Sequence, residues 1–221
     1  LKKRPLSTRL FGEVVRLIRK TNLDVRKVPG TRMVNDRGEV VYTPPEGEAV
    51  IRDKLANLEQ FLHADNGLDP LVKMAVMHYQ FEAIHPFTDG NGRTGRILNI
   101  LFLVEHGLLD LPVLYLSHYI IRNKPAYYDG LRRVTEEGAW EPWVLYLLDA
   151  VETTARQTRE RIARIRTLME AHRWGGNTFH ASGWNPRHIE GVEHFLFYNL
   201  ERRTGRHFIH DLVFKRQADL D

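Results

Sequence analysis

Apolar positions along the 221 residues recur mostly at helical spacing. Leu10, Phe11, Val14, Val15, Leu17 and Ile18 form one stripe and predict a helix over residues 8–20. Pro29-Gly30 breaks the pattern. Met33-Val34 and Val40-Val41-Tyr42 then flank Asn35-Asp36-Arg37-Gly38, two short β-prone runs around a turn, which is a hairpin signal. Pro44-Pro45 ends it, and helical spacing resumes over residues 46–62 through Val50, Ile51, Leu55, Leu58, Phe61 and Leu62.

Asp69-Pro70 reads as a helix start, because Asp accepts from the orphan amides and Pro is pre-set for the first helical position. The helix expected over residues 71–84 is apolar on nearly every side and belongs in the middle of a domain. Pro86 stops it. A second apolar helix is expected over residues 94–106, closed by Gly107. Further helices are predicted over residues 116–123, 125–135 and 141–169, the last long enough to expect a break. Past Arg173 the texture turns loop-like, with one helix expected over residues 187–203. A boundary near residue 172 divides a larger domain, 1–172, from a small helical subdomain, 173–221. The predicted fold is mainly α, a helical bundle with one β-hairpin.

Composition narrows the function classes. Apolar residues are 43% and aromatics 10% of the chain, a globular balance. The absence of cysteine removes disulfides, thiolate metal sites and thiol nucleophiles together. It agrees with a reducing, cytoplasmic setting. No apolar run reaches the roughly 18–20 residues of a membrane span, so no membrane partner is expected. The first residue is Leu, and the native start is expected upstream. A net charge of +4 is mild over this length and agrees with affinity for anions.

The chemistry concentrates between the two apolar helices, in His85-Pro86-Phe87-Thr88-Asp89-Gly90-Asn91-Gly92-Arg93-Thr94-Gly95-Arg96. Gly90, Asn91 and Gly92 can turn successive N–H groups toward one point where a helix begins, which makes an anion hole of backbone. Arg93 and Arg96 stand three apart on one helix face, and two guanidiniums beside such a nest suit a polyphosphate. Asp89 at its edge would be repelled by phosphate unless a cation bridges them, and Mg²⁺ is the economical cation. His85 is the one base in the segment that titrates near neutrality, with Phe87 as its anchor in the core. Taken singly, the histidine reads as a cap, the Asp-Gly-Asn-Gly as a turn and the arginines as a solvated face. Their sequence within one short stretch between two buried helices argues for a site.

This segment resembles the signature of the Fic family, His-x-Phe-x-(Asp/Glu)-Gly-Asn-Gly-Arg-x-x-Arg, with every specified position filled. The resemblance extends from the N-terminal helix to about residue 170. It takes in Val40-Val41-Tyr42-Thr43-Pro44-Pro45, Tyr119-Ile120-Ile121-Arg122-Asn123-Lys124, Tyr127-Tyr128 and Trp140-Glu141-Pro142-Trp143. It implies a Fic-type bundle that transfers AMP from ATP to a Ser, Thr or Tyr hydroxyl of a target protein, or of itself, and releases pyrophosphate. His85 would deprotonate the hydroxyl, and Asp89 would hold Mg²⁺ against the phosphates. Gly90, Asn91 and Gly92 would cradle the phosphates, and Arg93 and Arg96 would neutralise them. Val40, Val41 and Tyr42 would form a flap on which an extended target segment docks as an added strand. Tyr127 and Tyr128 are candidates for the adenine pocket, with helix packing as the alternative. A homodimer is compatible with this reading.

Other Fic-type reactions, namely transfer of UMP, phosphocholine or phosphate and removal of AMP, remain alternatives. Both arginines favour a triphosphate in the AMP-transferring orientation. Many relatives carry an inhibitory (Ser/Thr)-x-x-x-Glu-(Gly/Asn) helix; Ile189-Glu190-Gly191 matches its end, but Pro186 stands where Ser or Thr belongs. Phe208 to Asp221 does not show a winged-helix pattern. A different class, a nucleic-acid-binding module, rests on Arg156, Arg159, Arg161, Arg164, Arg166 and Arg173. The alternative there is a solvated helix face with Ile162, Ile165, Leu168 and Met169 turned inward.

Overall fold

The computed structural model describes residues 5–34 and 37–174. Seven helices and one hairpin follow in the order α1 (Thr8–Arg19), β1 (Met33–Val34), β2 (Val40–Tyr42), α2 (Glu48–His63), α3 (Pro70–Ile84), α4 (Asn91–Glu105), α5 (Leu116–Arg122), α6 (Lys124–Glu137) and α7 (Trp140–Trp174). The fold is mainly helical, as the spacing predicts. Two compact units are distinguished, Leu1–Ala155 and Arg156–Asp221. The site lies wholly in the first.

Local chemistry sets the element ends. Ser7 caps α1 by accepting from the Leu10 amide, and Asp69 caps α3 by accepting from the Leu71 amide with Pro70 next in line. The strands pair antiparallel, Met33 opposite Tyr42 and Val34 opposite Val40, with an irregularity between Met33 and Val34.

α3 and α4 pack against each other at the centre, with α2 on α3 and α1 on α4. Phe11, Phe81, Phe87, Phe102 and Trp143 are the large fully buried rings of this core. Gly95 lets α3 and α4 come close: a Cβ there would lie 2.5 Å from Glu82 Oε1 and 3.2 Å from the Phe81 ring. Trp143 locks α7 onto α3 by donating from Nε1 to the Ala75 carbonyl at 2.9 Å. On its other side its ring lies under Gly130 of α6, where a Cβ would come within 2.9 Å.

Several details differ from the sequence expectation. α4 begins at Asn91, three residues before the predicted start at 94, because Gly90 supplies the left-handed N-cap conformation and the Asn91 amide closes the preceding loop. α7 runs unbroken to Trp174, although its length leads one to expect a break. Ile162 and Leu168, expected to turn inward, are exposed. The helix expected over 187–203, the Ile189-Glu190-Gly191 match and the 208–221 stretch lie outside the described residues.

Candidate active site

His85 closes α3 in a left-handed conformation, φ 48° and ψ 59°. A non-glycine residue there carries strain of about 1–2 kcal/mol, so the surroundings must hold it. Phe87, two residues on, is buried against Phe81 with ring centroids 6.3 Å apart and anchors the loop as expected from the sequence. Asn91 spends its side chain on the same loop: Oδ1 accepts from the Phe87 amide at 2.9 Å and Nδ2 donates to the Phe87 carbonyl at 2.7 Å. The result is a rigid bend from His85 to the first turn of α4.

At that turn the first intrahelical bond runs from the Thr94 amide to the Gly90 carbonyl at 2.9 Å. The amides of Asn91, Gly92 and Arg93 therefore project from the positive end of the helix with no intrahelical acceptor. Gly90 makes this possible at φ 86°; a Cβ there would also press on Val15 and Arg19 of α1, at 3.3 and 3.4 Å. Arg93 is exposed at the rim. Arg96 is steered by α5, donating from Nε to Ser117 Oγ at 2.9 Å, and its guanidinium packs over Gly92.

Asp89 sits at the mouth, half exposed, and pairs through Oδ2 with Arg19 Nη1 at 2.9 Å while Oδ1 accepts from the Gly90 amide. The His85 ring is largely enclosed, with Nδ1 shut away from solvent. Burial holds its pKa below the ordinary value of 6.5; the Glu82 main-chain carbonyl opposes this, the Arg26 charge adds to it and Asp89 opposes it again. The imidazole is thus neutral at pH 7, the form a base requires.

A cavity of about 900 Å³ opens between the hairpin, α3 and α6. Val40, Val41 and Tyr42 line one wall, Tyr79, Glu82 and Ala83 the floor, and Tyr128, Leu131 and Arg132 the far wall. Val40 and Val41 are exposed, and the Tyr42 hydroxyl fastens the hairpin to α3 by donating to the Ala83 carbonyl at 2.8 Å. The two tyrosines part company. Tyr128 faces this cavity, whereas Tyr127 is buried in the core with its hydroxyl 3.0 Å from His78 Nε2.

Three contributors escape the sequence reading. Arg26, Glu82 and Arg19 come from elements with no motif of their own. Glu82 alone leaves a trace, as the one carboxylate in the largely apolar helical run over residues 71–84. It is buried with Oε1 unpartnered, and burial pushes its pKa up to about 7 against the pull of Arg96. Among the described residues, no group of three or more His, Asp or Glu side chains is gathered as a ready-made metal cage. Nor is any described helix long and apolar enough to cross a membrane.

Comparison with known proteins agrees with this geometry. Residues 6–103 match the Fic/DOC family model. The chain is 38% identical over 98 residues to a probable protein adenylyltransferase of Aquifex aeolicus, covering 44% of this chain and 28% of that protein. It is 35% identical over 112 residues to the protein adenylyltransferase Fic of Culex quinquefasciatus, covering 50% of this chain and 21% of that one. The matched stretch thus spans less than a third of these relatives. Among solved structures, a Fic family protein from Desulfovibrio desulfuricans superposes with a TM-score of 0.54 at 26% identity, over 70% of this chain and 47% of the other. The fold of Fic-1 from C. elegans is likewise similar, with a TM-score of 0.53 at 24% identity, over 70% of this chain and 43% of the other. With the His85–Arg96 bend seated between its two central helices, the domain at residues 6–103 belongs to the Fic/DOC family.

Proposed function

We propose that this protein is a protein adenylyltransferase that moves AMP from ATP to a Ser, Thr or Tyr hydroxyl of a target protein or of itself. The observation that carries the reading is the pairing of an enclosed, neutral His85 with three free amides at the start of α4, one rigid bend away. The names of the relatives support the reaction class.

In this mechanism the amides of Asn91, Gly92 and Arg93 bind phosphate oxygens, and Arg93 and Arg96 spread the charge that builds on the leaving pyrophosphate. His85 Nε2 takes the proton of the attacking hydroxyl. That oxygen forms a bond to the α-phosphorus as the bond from the α-phosphorus to the bridging oxygen breaks, and pyrophosphate departs. The cavity between hairpin and α6, with Tyr128 on its wall, takes the nucleoside. The exposed strands of the hairpin receive an extended target segment through backbone pairing. The Asp89 carboxylate, a hard oxygen donor half open to solvent beside the phosphate seat, fits Mg²⁺. When bound there, the ion would supply charge neutralisation of the phosphates.

Incubation with α-labelled ATP and Mg²⁺ tests the reading, with self-labelling as a readout that needs no known target. His85→Ala should lower incorporation by about 10²–10⁴-fold. Equal labelling by both proteins would remove His85 as the base. The mass added to the product distinguishes AMP from the other groups that Fic-type sites transfer.

A further inference from the structure

Arg26 is the buried cation of this site, 2% exposed, and it lies in the segment between α1 and the hairpin. Among the described residues no carboxylate forms an ion pair with it; Glu46 acts on it only from a distance. Its partners are carbonyls. Nε donates to the His85 carbonyl at 2.8 Å, and Nη2 donates to the Ile84 carbonyl at 3.4 Å and to the Pro45 carbonyl. Its own amide donates to the Pro86 carbonyl at 2.9 Å.

These acceptors belong to two places. Ile84 and His85 end α3, where the last carbonyls lack intrahelical donors and the helix dipole is negative. Pro45 stands three residues past the end of β2, at the foot of the hairpin. A planar fork with five donors can reach both at once; a lysine ammonium on a flexible stem reaches one.

We propose that Arg26 is a positioning residue, holding the left-handed His85 and the foot of the β1–β2 hairpin as one unit so that a docked hydroxyl meets the base in register. This rests on the reading of His85 as the base. A buried guanidinium is costly, and a helix C-terminus elsewhere in this chain manages without one: Gly138 closes α6 through its own amide. The strained His85, lacking the freedom of glycine, is where the fork is placed. Tyr42 adds a second tie between the same two elements through the Ala83 carbonyl.

The groups acting on His85 are the Glu82 main-chain carbonyl of α3, the Arg26 charge from the preceding segment and the Asp89 charge from the following loop. Removing the Arg26 charge therefore raises the His85 titration, while Arg26→Lys keeps the charge and loses the fork. This separates the two contributions. NMR titration of the His85 ring and amide exchange across residues 40–43 are measured in wild type, R26K and R26Q. ATP binding serves as the check that each variant folds.

The expected result is a His85 midpoint higher than wild type in R26Q and near wild type in R26K. Hairpin exchange should be faster by about 10-fold in both, an apparent loosening of the same order as a lost charged hydrogen bond. Self-labelling with α-labelled ATP should fall by about 10-fold or more in kcat with KM for ATP unchanged. Unaltered titration in R26Q together with unaltered hairpin exchange in R26K overturns the assignment. Should R26Q fail to fold, R26K decides it alone: wild-type exchange and wild-type kcat overturn the proposal. Absence of labelling by the wild-type protein overturns the adenylyl-transfer reading instead, and titration and exchange still decide the role of Arg26.

Discussion

Arg19 Nη1 lies 2.9 Å from Asp89 Oδ2, so a cation from α1 already occupies the carboxylate at the mouth of the proposed phosphate seat. The same side chain packs its stem on Gly90, the N-cap of α4. An arriving divalent ion must compete with this guanidinium. Because both partners are substantially exposed, the pair is worth about 1 kcal/mol at most. Arg19→Ala should therefore lower the Mg²⁺ concentration for half-maximal self-labelling by about 2–5-fold, with little change in Tm. A Mg²⁺ titration of labelling checks this, and an unchanged midpoint would show that Arg19 does not compete.

Gly95 is the tightest point between α3 and α4. A methyl group there would stand 2.5 Å from Glu82 Oε1, 3.2 Å from the Phe81 ring and 3.3 Å from the His78 ring. Two of these neighbours are core rings with no room to retreat. Gly95→Ala should destabilise the protein by about 1–3 kcal/mol, read as a lower urea midpoint. At Gly92 the crowding is gentler, a Cβ meeting Arg96 Nη1 at 3.2 Å. Gly92→Ala should cost less stability and more ATP affinity, since the displaced group is the guanidinium proposed to bind phosphate.

Glu82 and His78 give the stability a pH dependence of opposite signs. Burial raises the Glu82 carboxyl to about 7 from 4.5, so its proton stabilises the fold fully below pH 4.5, and that contribution is lost as pH rises through 7. Burial lowers His78 to about 3 from 6.5, with the Arg96 charge adding to the effect; its neutral form stabilises the fold above 6.5, and that contribution fades as pH falls toward 3. Glu82→Gln should remove the first dependence and leave the second. Relative to wild type, E82Q should gain on the order of 3 kcal/mol between pH 4.5 and 7. Denaturant curves across that range measure it, and parallel pH profiles for the two proteins would refute the assignment.

Ser117 Oγ orients Arg96 from α5 at 2.9 Å. Ser117→Ala removes one hydrogen bond to a charged group, worth about 1.5–3 kcal/mol at most. The expected outcome is a KM for ATP raised by about 3–10-fold, with hairpin exchange unaffected. A wild-type KM would show that Arg96 holds its place without α5.

How much was legible follows from where each interaction is encoded. The apolar spacing of α1, α2 and α3 survives because local periodicity and the Asp69-Pro70 start specify those helices before any packing. The Val-Val-Tyr run and its turn specify the hairpin in the same way. The start of α4 escapes the sequence because its first turn is glycine-rich and polar, and only the Asn91 side chain bonding back to Phe87 makes Asn91 the first helical residue. The length of α7 by itself suggests a break, because no sequence rule shows that a helix of 35 residues continues through a charged face.

The amino-acid sequence alone determined the helical class, the hairpin and the bend from His85 to Arg96, because these depend on residues near one another along the chain. Tertiary structure alone decided that Arg26 reaches His85 across 59 positions and that Arg19 pairs with Asp89. It also decided that Tyr128 faces the cavity while its neighbour Tyr127 faces the core. Such pairings arise when helices cross at fixed angles and bury particular faces, and no local pattern carries that information.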